Sequence, residues 1–177
     1  MNAQPASRGA TTGPSVARVV ARADITGVVL AGGQGRRMGG VDKGLVDFAG
    51  SPMVAHVIGR LAPQVGAMLI NANQNADRYA SFGYPVVADA IGGFAGPLAG
   101  LHAGLCAATT THVVTSPCDS PFLPLDLVAR LGAALATADA ELAVARTGNQ
   151  PHPVFALAAT GVREHLANFM REGGRKI

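Results

Sequence analysis

The sequence predicts an α/β fold: a single domain built on a mostly parallel, doubly wound sheet. Short apolar runs rich in β-branched residues alternate with stretches of helical periodicity along almost the whole chain, and this alternation is typical of consecutive β-α-β units. The composition agrees, because 49% of the residues are hydrophobic while only 5% are aromatic and none is Trp. Small aliphatic side chains of this kind suit strands that are buried on both faces. A chain of 177 residues is long enough for one such domain.

We expect the chain to divide into a flexible N-terminal extension, residues 1–24, and one domain, residues 25–177. The extension holds three arginines and one aspartate, a net charge of +2 out of the chain's +3, so the domain itself gives no reason to expect nucleic-acid binding. No apolar run reaches the roughly 18 to 20 residues that cross a bilayer, and the extension lacks the apolar centre of a signal peptide. The two cysteines show no metal-ligand spacing. We therefore predict a cytoplasmic protein without nucleic-acid or membrane partners.

Residues 25–31 form a short apolar run that predicts the first strand. It leads directly into a loop with five glycines and three cations: Gly32, Gly33, Gly35, Gly39, Gly40, Arg36, Arg37 and Lys43. The backbone N–H groups of such a loop form a concave anion site, to which arginine and lysine add full positive charge. The loop therefore predicts a polyphosphate site, although it matches neither the P-loop nor the dinucleotide fingerprint.

The remaining elements continue the alternation. Proline favours the first turn of a helix, so we predict helices that open at Pro52 and at Pro124. The other helices are expected over residues 76–81, 98–108 and 162–170, the last closed by Gly173 and Gly174. Strands are expected over residues 67–70, 85–88, 112–116, 141–145 and 154–158. A polar turn that contains His152 is expected over residues 147–153.

Ligands bind beyond the carboxyl ends of the strands in a sheet of this kind. Gly32, Asn71, Asp89 and Asp119 all follow predicted strands, so we expect them to surround a ligand. Asp119 is a carboxylate of the type that holds Mg²⁺ together with substrate phosphates, and its simpler interpretation is a helix N-cap. Lys43 is either a phosphate contact or a solvated surface charge.

These motifs carry a specific resemblance to a known family. Molybdenum cofactor guanylyltransferases, which belong to the nucleotidyltransferase superfamily, are similar to this chain in five ordered segments: ITGVVLAGG at 25–33, RRMGGVDKG at 36–44, NAN at 71–73, GPLAG at 96–100 and PCDSP at 117–121. The resemblance covers residues 25–177 and implies a Rossmann-like nucleotidyltransferase fold.

The resemblance also implies roles for individual residues. The implied nucleotide-binding positions are Leu30, Ala31, Gly32, Gly33, Lys43, Asn71, Asp89, Gly96, Gly100 and Asp119. Among them, Lys43 would bind the triphosphate, Gly96 and Gly100 would lie beside the guanine, and Asp119 would hold Mg²⁺. The catalytic residues are expected to be Lys43, Asp119 and Arg37, which stabilise charge during the reaction.

The activity that the resemblance implies is transfer of GMP from GTP to molybdenum-bound molybdopterin, with Mg²⁺ as cofactor and release of pyrophosphate. It also implies transient contacts with proteins that make or receive the cofactor. One alternative is a related nucleotidyltransferase with another base or acceptor, such as a cytidylyltransferase of the same cofactor or a sugar-phosphate enzyme. Another is a nucleotide-binding accessory protein without transfer activity.

The accessory role has one feature in its favour. The family continues beyond the position of Ile177 through a further strand and an Asn-rich acceptor-binding segment, so we expect the C-terminal part of the fold to be missing. His152 lies between Pro151 and Pro153. We expect it to be either an acceptor-side contact or a packed loop residue.

Overall fold

The structure is a computed structural model that describes residues 20–32, 41–91 and 96–174. Its strands, in chain order, are β1 (Ile25–Leu30), β2 (Asp47–Phe48), β3 (Ser51–Pro52), β4 (Ala67–Asn71), β5 (Val86–Val87), β6 (His112–Pro117), β7 (Leu142–Thr147) and β8 (Gln150–Ala159). Its α-helices are α1 (Met53–Leu61), α2 (Ala76–Ala80), α3 (Pro97–Ala107), α4 (Leu127–Ala138) and α5 (Arg163–Arg171). The predicted alternation of strands and helices is confirmed.

Six strands form the main sheet in the order β5-β4-β1-β6-β8-β7, and β2 pairs with β3 in a separate antiparallel ribbon. β1 pairs in parallel with β4 and β6, and β4 pairs in parallel with β5. β8 is the exception, because it runs antiparallel to both β6 and β7. The sheet is mostly parallel, as predicted, and one reversed strand lies inside it.

The polar turn predicted over residues 147–153 is wrong in its extent, because most of these residues belong to strands. Only Gly148 and Asn149 separate β7 from β8, and a loop of two residues forces the strands to be antiparallel. His152 therefore lies within β8, opposite Ala145. Prolines are tolerated here because this end of β8 pairs with β7 alone, while β6 pairs only with residues 157–159.

The helix predicted to open at Pro124 begins at Leu127 instead. Residues 124–126 form a turn, and the Pro124 carbonyl oxygen accepts a hydrogen bond of 2.9 Å from the Gln64 side chain. The side-chain oxygen Oε1 of Gln64 in turn accepts the Val128 N–H at 3.0 Å. The start of α4 is thus set by a residue from a distant turn rather than by its proline.

Helices cover both faces of the sheet. α1 and α4 contribute buried side chains to one layer, together with Val29, Ile70 and Leu157, while α3 packs on the opposite face against Val28 and Val113. Consecutive residues of β1 therefore face different helical layers, as the alternation of a strand requires. Before β1, Arg22–Asp24 forms a 3₁₀ turn in which the Arg22 side chain donates to the Val65 carbonyl at 3.0 Å. No helix in the described parts of the chain is long and apolar enough to cross a membrane.

Candidate functional site

The parallel register brings the residues predicted to contact a ligand to one edge of the sheet. Leu30 at the end of β1 lies opposite Asn71 of β4 and Pro117 of β6, so the segments that follow these strands are neighbours. A cavity of about 150 Å³ opens at this edge, lined by Leu30, Gly32, Asn71, Asp89, Gly96, Pro97, Pro117 and Val154. Five residues that the sequence singles out as nucleotide contacts therefore share one cavity. Their roles as contacts stay predictions.

Two amides and one carboxylate form a hydrogen-bond network beside this cavity, and Asn71 and Asp89 of that network line it. Asn71 is 2% exposed, and its side-chain N–H donates to Asp89 Oδ1 at 3.0 Å and to the Val87 carbonyl at 3.2 Å. Asn73 donates to Asp89 Oδ2 at 2.7 Å and accepts the Asp89 backbone N–H at 2.8 Å. Both oxygens of the Asp89 carboxylate are thus fixed in orientation by charge-assisted hydrogen bonds.

Asn73 belongs to the NAN motif but was not among the predicted site residues. The signal was present in the sequence, because residues two apart at a strand end point to the same side. Asn71 and Asn73 follow this spacing and reach the same carboxylate.

Two of the predicted glycines are required by close packing. A Cβ on Gly32 would lie 2.8 Å from the Asn73 side-chain nitrogen, and one on Gly100 would lie 2.5 Å from Asn71 Oδ1. Gly100 is buried in α3 and does not line the cavity, whereas Gly96 does. Gly100 therefore stands behind Asn71, where only glycine leaves room for the amide.

A second pair of predicted residues meets beside the end of β6. Lys43 opens the 3₁₀ turn Lys43–Leu45, and its ammonium lies 3.2 Å from Asp119 Oδ2. The two side chains are 48% and 35% exposed, so both remain accessible to a ligand. Residues 76 positions apart in the sequence are brought into an ion pair.

Cys118 lies directly before this carboxylate and is buried. Burial, reinforced by the negative charges of Asp119 and Asp42, raises the pKa of the Cys118 thiol to about 12. The thiol stays neutral near pH 7, which suits a small buried apolar residue and does not suit a nucleophile.

Comparison with known proteins decides the family. The family model described as MobA-like NTP transferase domain matches residues 27–177. The chain belongs to this family. It is 51% identical over 168 residues to the molybdenum cofactor guanylyltransferase of Ralstonia nicotianae. This match covers 90% of this chain and 82% of that relative. The prediction of a nucleotidyltransferase is confirmed.

Solved structures confirm the fold. The molybdopterin-guanine dinucleotide biosynthesis protein A of Archaeoglobus fulgidus is similar with a TM-score of 0.70 at 23% identity, over 85% of this chain and 75% of that one. A Mycobacterium tuberculosis protein solved in complex with manganese is similar with a TM-score of 0.62 at 19% identity, over 87% and 85% of the two chains. The MobA-like domain therefore has the Rossmann-like architecture that the resemblance implied.

Members of such nucleotidyltransferase families typically use a divalent metal ion, and the donor set here fits one kind of ion. Within the described residues, no group of three or more His, Cys, Asp and Glu side chains could hold a metal by itself. A single partly exposed carboxylate, Asp119, is suited to an ion that takes most of its ligands from phosphates and water, as Mg²⁺ does.

Two predicted site residues of the MobA-like domain, Arg37 and Gly33, lie outside the described residues. His152 is half-buried on the β7–β8 hairpin, 3.1 Å from the Thr147 hydroxyl oxygen and edge-on to the Phe155 ring. Of its two predicted roles, these contacts fit a packed residue, and an acceptor-side contact stays a prediction.

Proposed function

We propose that the protein transfers GMP from GTP to the terminal phosphate of molybdenum-bound molybdopterin and releases pyrophosphate. The observation that carries this proposal is the 51% identity to a molybdenum cofactor guanylyltransferase over 90% of the chain. In further support, four of the five resembling segments contribute residues to the lining of one cavity at the edge of the sheet. The proposed location is the cytoplasm, and the proposed partners are proteins that make or receive the cofactor.

The cavity supplies a fixed acceptor for a nucleoside. Asn71 and Asp89 line it, and Asn71 and Asn73 hold the Asp89 carboxylate in place. A carboxylate fixed in this way can accept hydrogen bonds from a base or a ribose. The backbone after β1 enters the glycine-rich loop at Gly32, so the triphosphate would lie along that loop. We assign base recognition to the Gly96 end of α3, which also lines the cavity.

Lys43 and Asp119 supply the charges. In the proposed reaction an oxygen of the acceptor phosphate attacks the α-phosphorus of GTP, and the bond from that phosphorus to the pyrophosphate oxygen breaks. Lys43 would stabilise the charge that develops on the pyrophosphate, with Arg37 as a further cation that the sequence predicts. Asp119 would hold Mg²⁺, whose charge neutralises phosphate oxygens when it is bound.

No side chain near the cavity needs to act as a nucleophile. The acceptor phosphate is itself nucleophilic, pyrophosphate is a competent leaving group, and the thiol beside Asp119 is buried and neutral. Positioning and electrostatic stabilisation are therefore the proposed sources of the rate enhancement. We expect direct transfer without a covalent enzyme intermediate.

The proposal is tested with a nucleotide panel and one charge variant. Mg²⁺-dependent transfer to molybdopterin is measured with GTP, CTP, ATP and UTP, and calorimetry measures the binding of each nucleotide. We expect a preference for GTP, and Asp119→Asn should lower the transfer rate by about 100-fold or more, because it removes a metal-binding charge.

Asp126→Asn is the matched control, since Asp126 is an exposed aspartate on the same segment that forms an ion pair with Arg130 at 4.0 Å. Its transfer rate should equal that of the wild type, because exposed ion pairs contribute little. A preference for CTP would favour the cytidylyltransferase, binding of GTP without transfer would favour the accessory protein, and an active Asp119→Asn variant would contradict the metal assignment.

A further inference from the structure

Asp42 is held by two side chains from the segment around α2. Its Oδ1 accepts a short hydrogen bond from the Tyr79 hydroxyl, and its Oδ2 accepts one of 2.8 Å from the Asn75 side chain. Asn75 has a φ of 54° immediately before α2, a left-handed conformation that asparagine tolerates better than most residues. Both carboxylate oxygens of Asp42 are therefore fixed from one side.

Asp42 in turn begins the turn that carries Lys43. The Asp42 carbonyl oxygen accepts the Leu45 N–H at 3.0 Å, and Gly44 is wedged between Tyr79 and Cys118. A Cβ on Gly44 would lie 2.5 Å from the Tyr79 hydroxyl oxygen and 3.1 Å from the Cys118 sulfur. The backbone on either side of Lys43 is thus pinned, while its ammonium reaches Asp119.

The Tyr79 hydroxyl has a role that core packing does not explain. The side chain is 0% exposed and is the only buried residue of a helix of five residues, and a phenylalanine ring would fill the same apolar space. Burial and the Asp42 carboxylate hold the pKa of Tyr79 well above its usual range, so the hydroxyl remains a donor. A donor buried at this cost must have a fixed acceptor, and that acceptor is one residue from Lys43.

We propose that Tyr79 and Asn75 are positioning residues that act through Asp42 to hold Lys43 at the phosphate site. The inference rests on the proposed function, because it treats Lys43 as a phosphate contact. It assigns to α2, which contributes no lining residue to the described cavity, the task of fixing the end of the glycine-rich loop.

The first test measures the dissociation constant of Mg–GTP for Tyr79→Phe. We expect binding about tenfold weaker, because a Lys43 that is no longer held in place must be ordered when the ligand binds. Tyr84→Phe is the matched control, since Tyr84 packs half-buried against the same core cluster, and its affinity should stay within about twofold of the wild type. Asn75→Gly keeps the left-handed backbone accessible and should also weaken Mg–GTP binding. It replaces Tyr79→Phe in this test if that variant does not fold.

A double-mutant cycle with Lys43→Met separates positioning from general stability. If Tyr79 acts through Lys43, Tyr79→Phe has no further effect on Mg–GTP affinity once the lysine is removed. An equal loss in both backgrounds would show a merely structural role and would overturn the inference, as would unchanged binding in Tyr79→Phe.

Amide hydrogen exchange of the nucleotide-free protein provides a readout that does not depend on the proposed function. Exchange at residues 43–46 should be faster in Tyr79→Phe, while the amides of β1 and β6 keep their wild-type rates. Faster exchange in a protein whose wild type does not bind GTP would refute the proposed function and leave the anchoring intact. Unchanged exchange would refute the anchoring itself.

Discussion

At the scale of single residues, Asn71 connects the backbone packing of the domain to the polar wall of the cavity. Its amide nitrogen is committed to Asp89 and to a backbone carbonyl. Its Oδ1 lies where a Cβ on Gly32 or on Gly100 would come within 3.2 Å or 2.5 Å. The orientation of this buried side chain therefore depends on two glycines that are far apart in the sequence.

Gly100→Ala should damage the site through Asn71. The new methyl group would lie 2.5 Å from Asn71 Oδ1 and 2.6 Å from Leu30 Cδ2, so the amide or the helix must shift. We expect Mg–GTP binding about tenfold weaker and a free energy of unfolding lower by about 1 to 3 kcal/mol, the usual cost of overpacking. Calorimetry and urea unfolding measure the two effects.

Gly104→Ala separates those effects. Gly104 lies one turn further along α3, and a Cβ there would come 2.7 Å from Val28 Cγ2, so it overpacks the core away from Asn71. This variant should lose stability and keep its affinity for Mg–GTP. If both alanine variants lost the same affinity, the effect would belong to α3 as a whole and the role given to Asn71 would be wrong.

At the scale of elements, Gln64 joins α1 to α4. Its side-chain nitrogen donates to the Arg60 carbonyl at 2.8 Å and to the Pro124 carbonyl at 2.9 Å, and its oxygen accepts the Val128 N–H at 3.0 Å. One amide thus closes the end of one helix and caps the start of another. The segment between β6 and α4, which carries Asp119, is held at its far end by these contacts.

Gln64→Ala should lower the free energy of unfolding by about 1 to 2 kcal/mol, as expected for loss of a helix cap and of hydrogen bonds to backbone groups. Urea denaturation measures the change. Gln150→Ala on the exposed hairpin, where the side chain donates a hydrogen bond to the neighbouring Pro151 carbonyl, should stay within about 0.5 kcal/mol of the wild type. Equal stabilities for the two variants would mean that α4 does not depend on this cap.

At the scale of the whole molecule, His102 makes stability depend on pH. It is 7% exposed within α3, and burial lowers the pKa of His102 below 6.5, although the nearby Glu164 opposes this and Arg163 and Arg171 add to it. The unfolded chain therefore takes up this proton at a higher pH than the folded one. The corresponding stability is present above 6.5 and is lost as the pH falls through the lower value of the folded state.

We expect the free energy of unfolding to fall less steeply with acidification in His102→Gln than in the wild type. Urea unfolding at a series of pH values from about 8 down to about 5 measures the slopes, since the ordinary histidine pKa lies within this range. His165→Gln, which removes an exposed histidine from the neighbouring α5, should keep the wild-type slope. Parallel curves for His102→Gln and the wild type would contradict the assignment.

The sequence predicted the parts of this molecule that depend on local pattern. The alternation of β-branched runs with helical periodicity was enough for the sheet, and strand ends were enough to bring Asn71, Asp89 and Gly32 to one edge. What escaped prediction depends on contacts between distant segments. The cap that Gln64 gives to α4 and the hydrogen bond from Tyr79 to Asp42 have no signature in the residues next to them.

The β8 strand shows a second reason why part of the fold could not be predicted from the sequence. Pro151 and Pro153 favour a turn by local rules, but the register shifts between Val144 and Ala145, so that Ala156 is followed in the pairing by His152. The irregularity lets a proline-containing segment pair at the free end of the hairpin. A bulge of this kind is set by the fit of the hairpin against the sheet, which no local pattern reports.

The ion pair between Lys43 and Asp119 has a thermodynamic consequence for the proposed reaction. Each residue neutralises the other before any ligand arrives. A cation that binds Asp119 therefore frees Lys43 for the triphosphate, and a triphosphate that binds Lys43 frees Asp119 for the cation. The two ligands should therefore bind cooperatively, with a reciprocal coupling free energy. Lys43→Met should tighten the binding of Mn²⁺ to the nucleotide-free protein, measured by calorimetry, and an unchanged affinity would show that the pair imposes no such coupling.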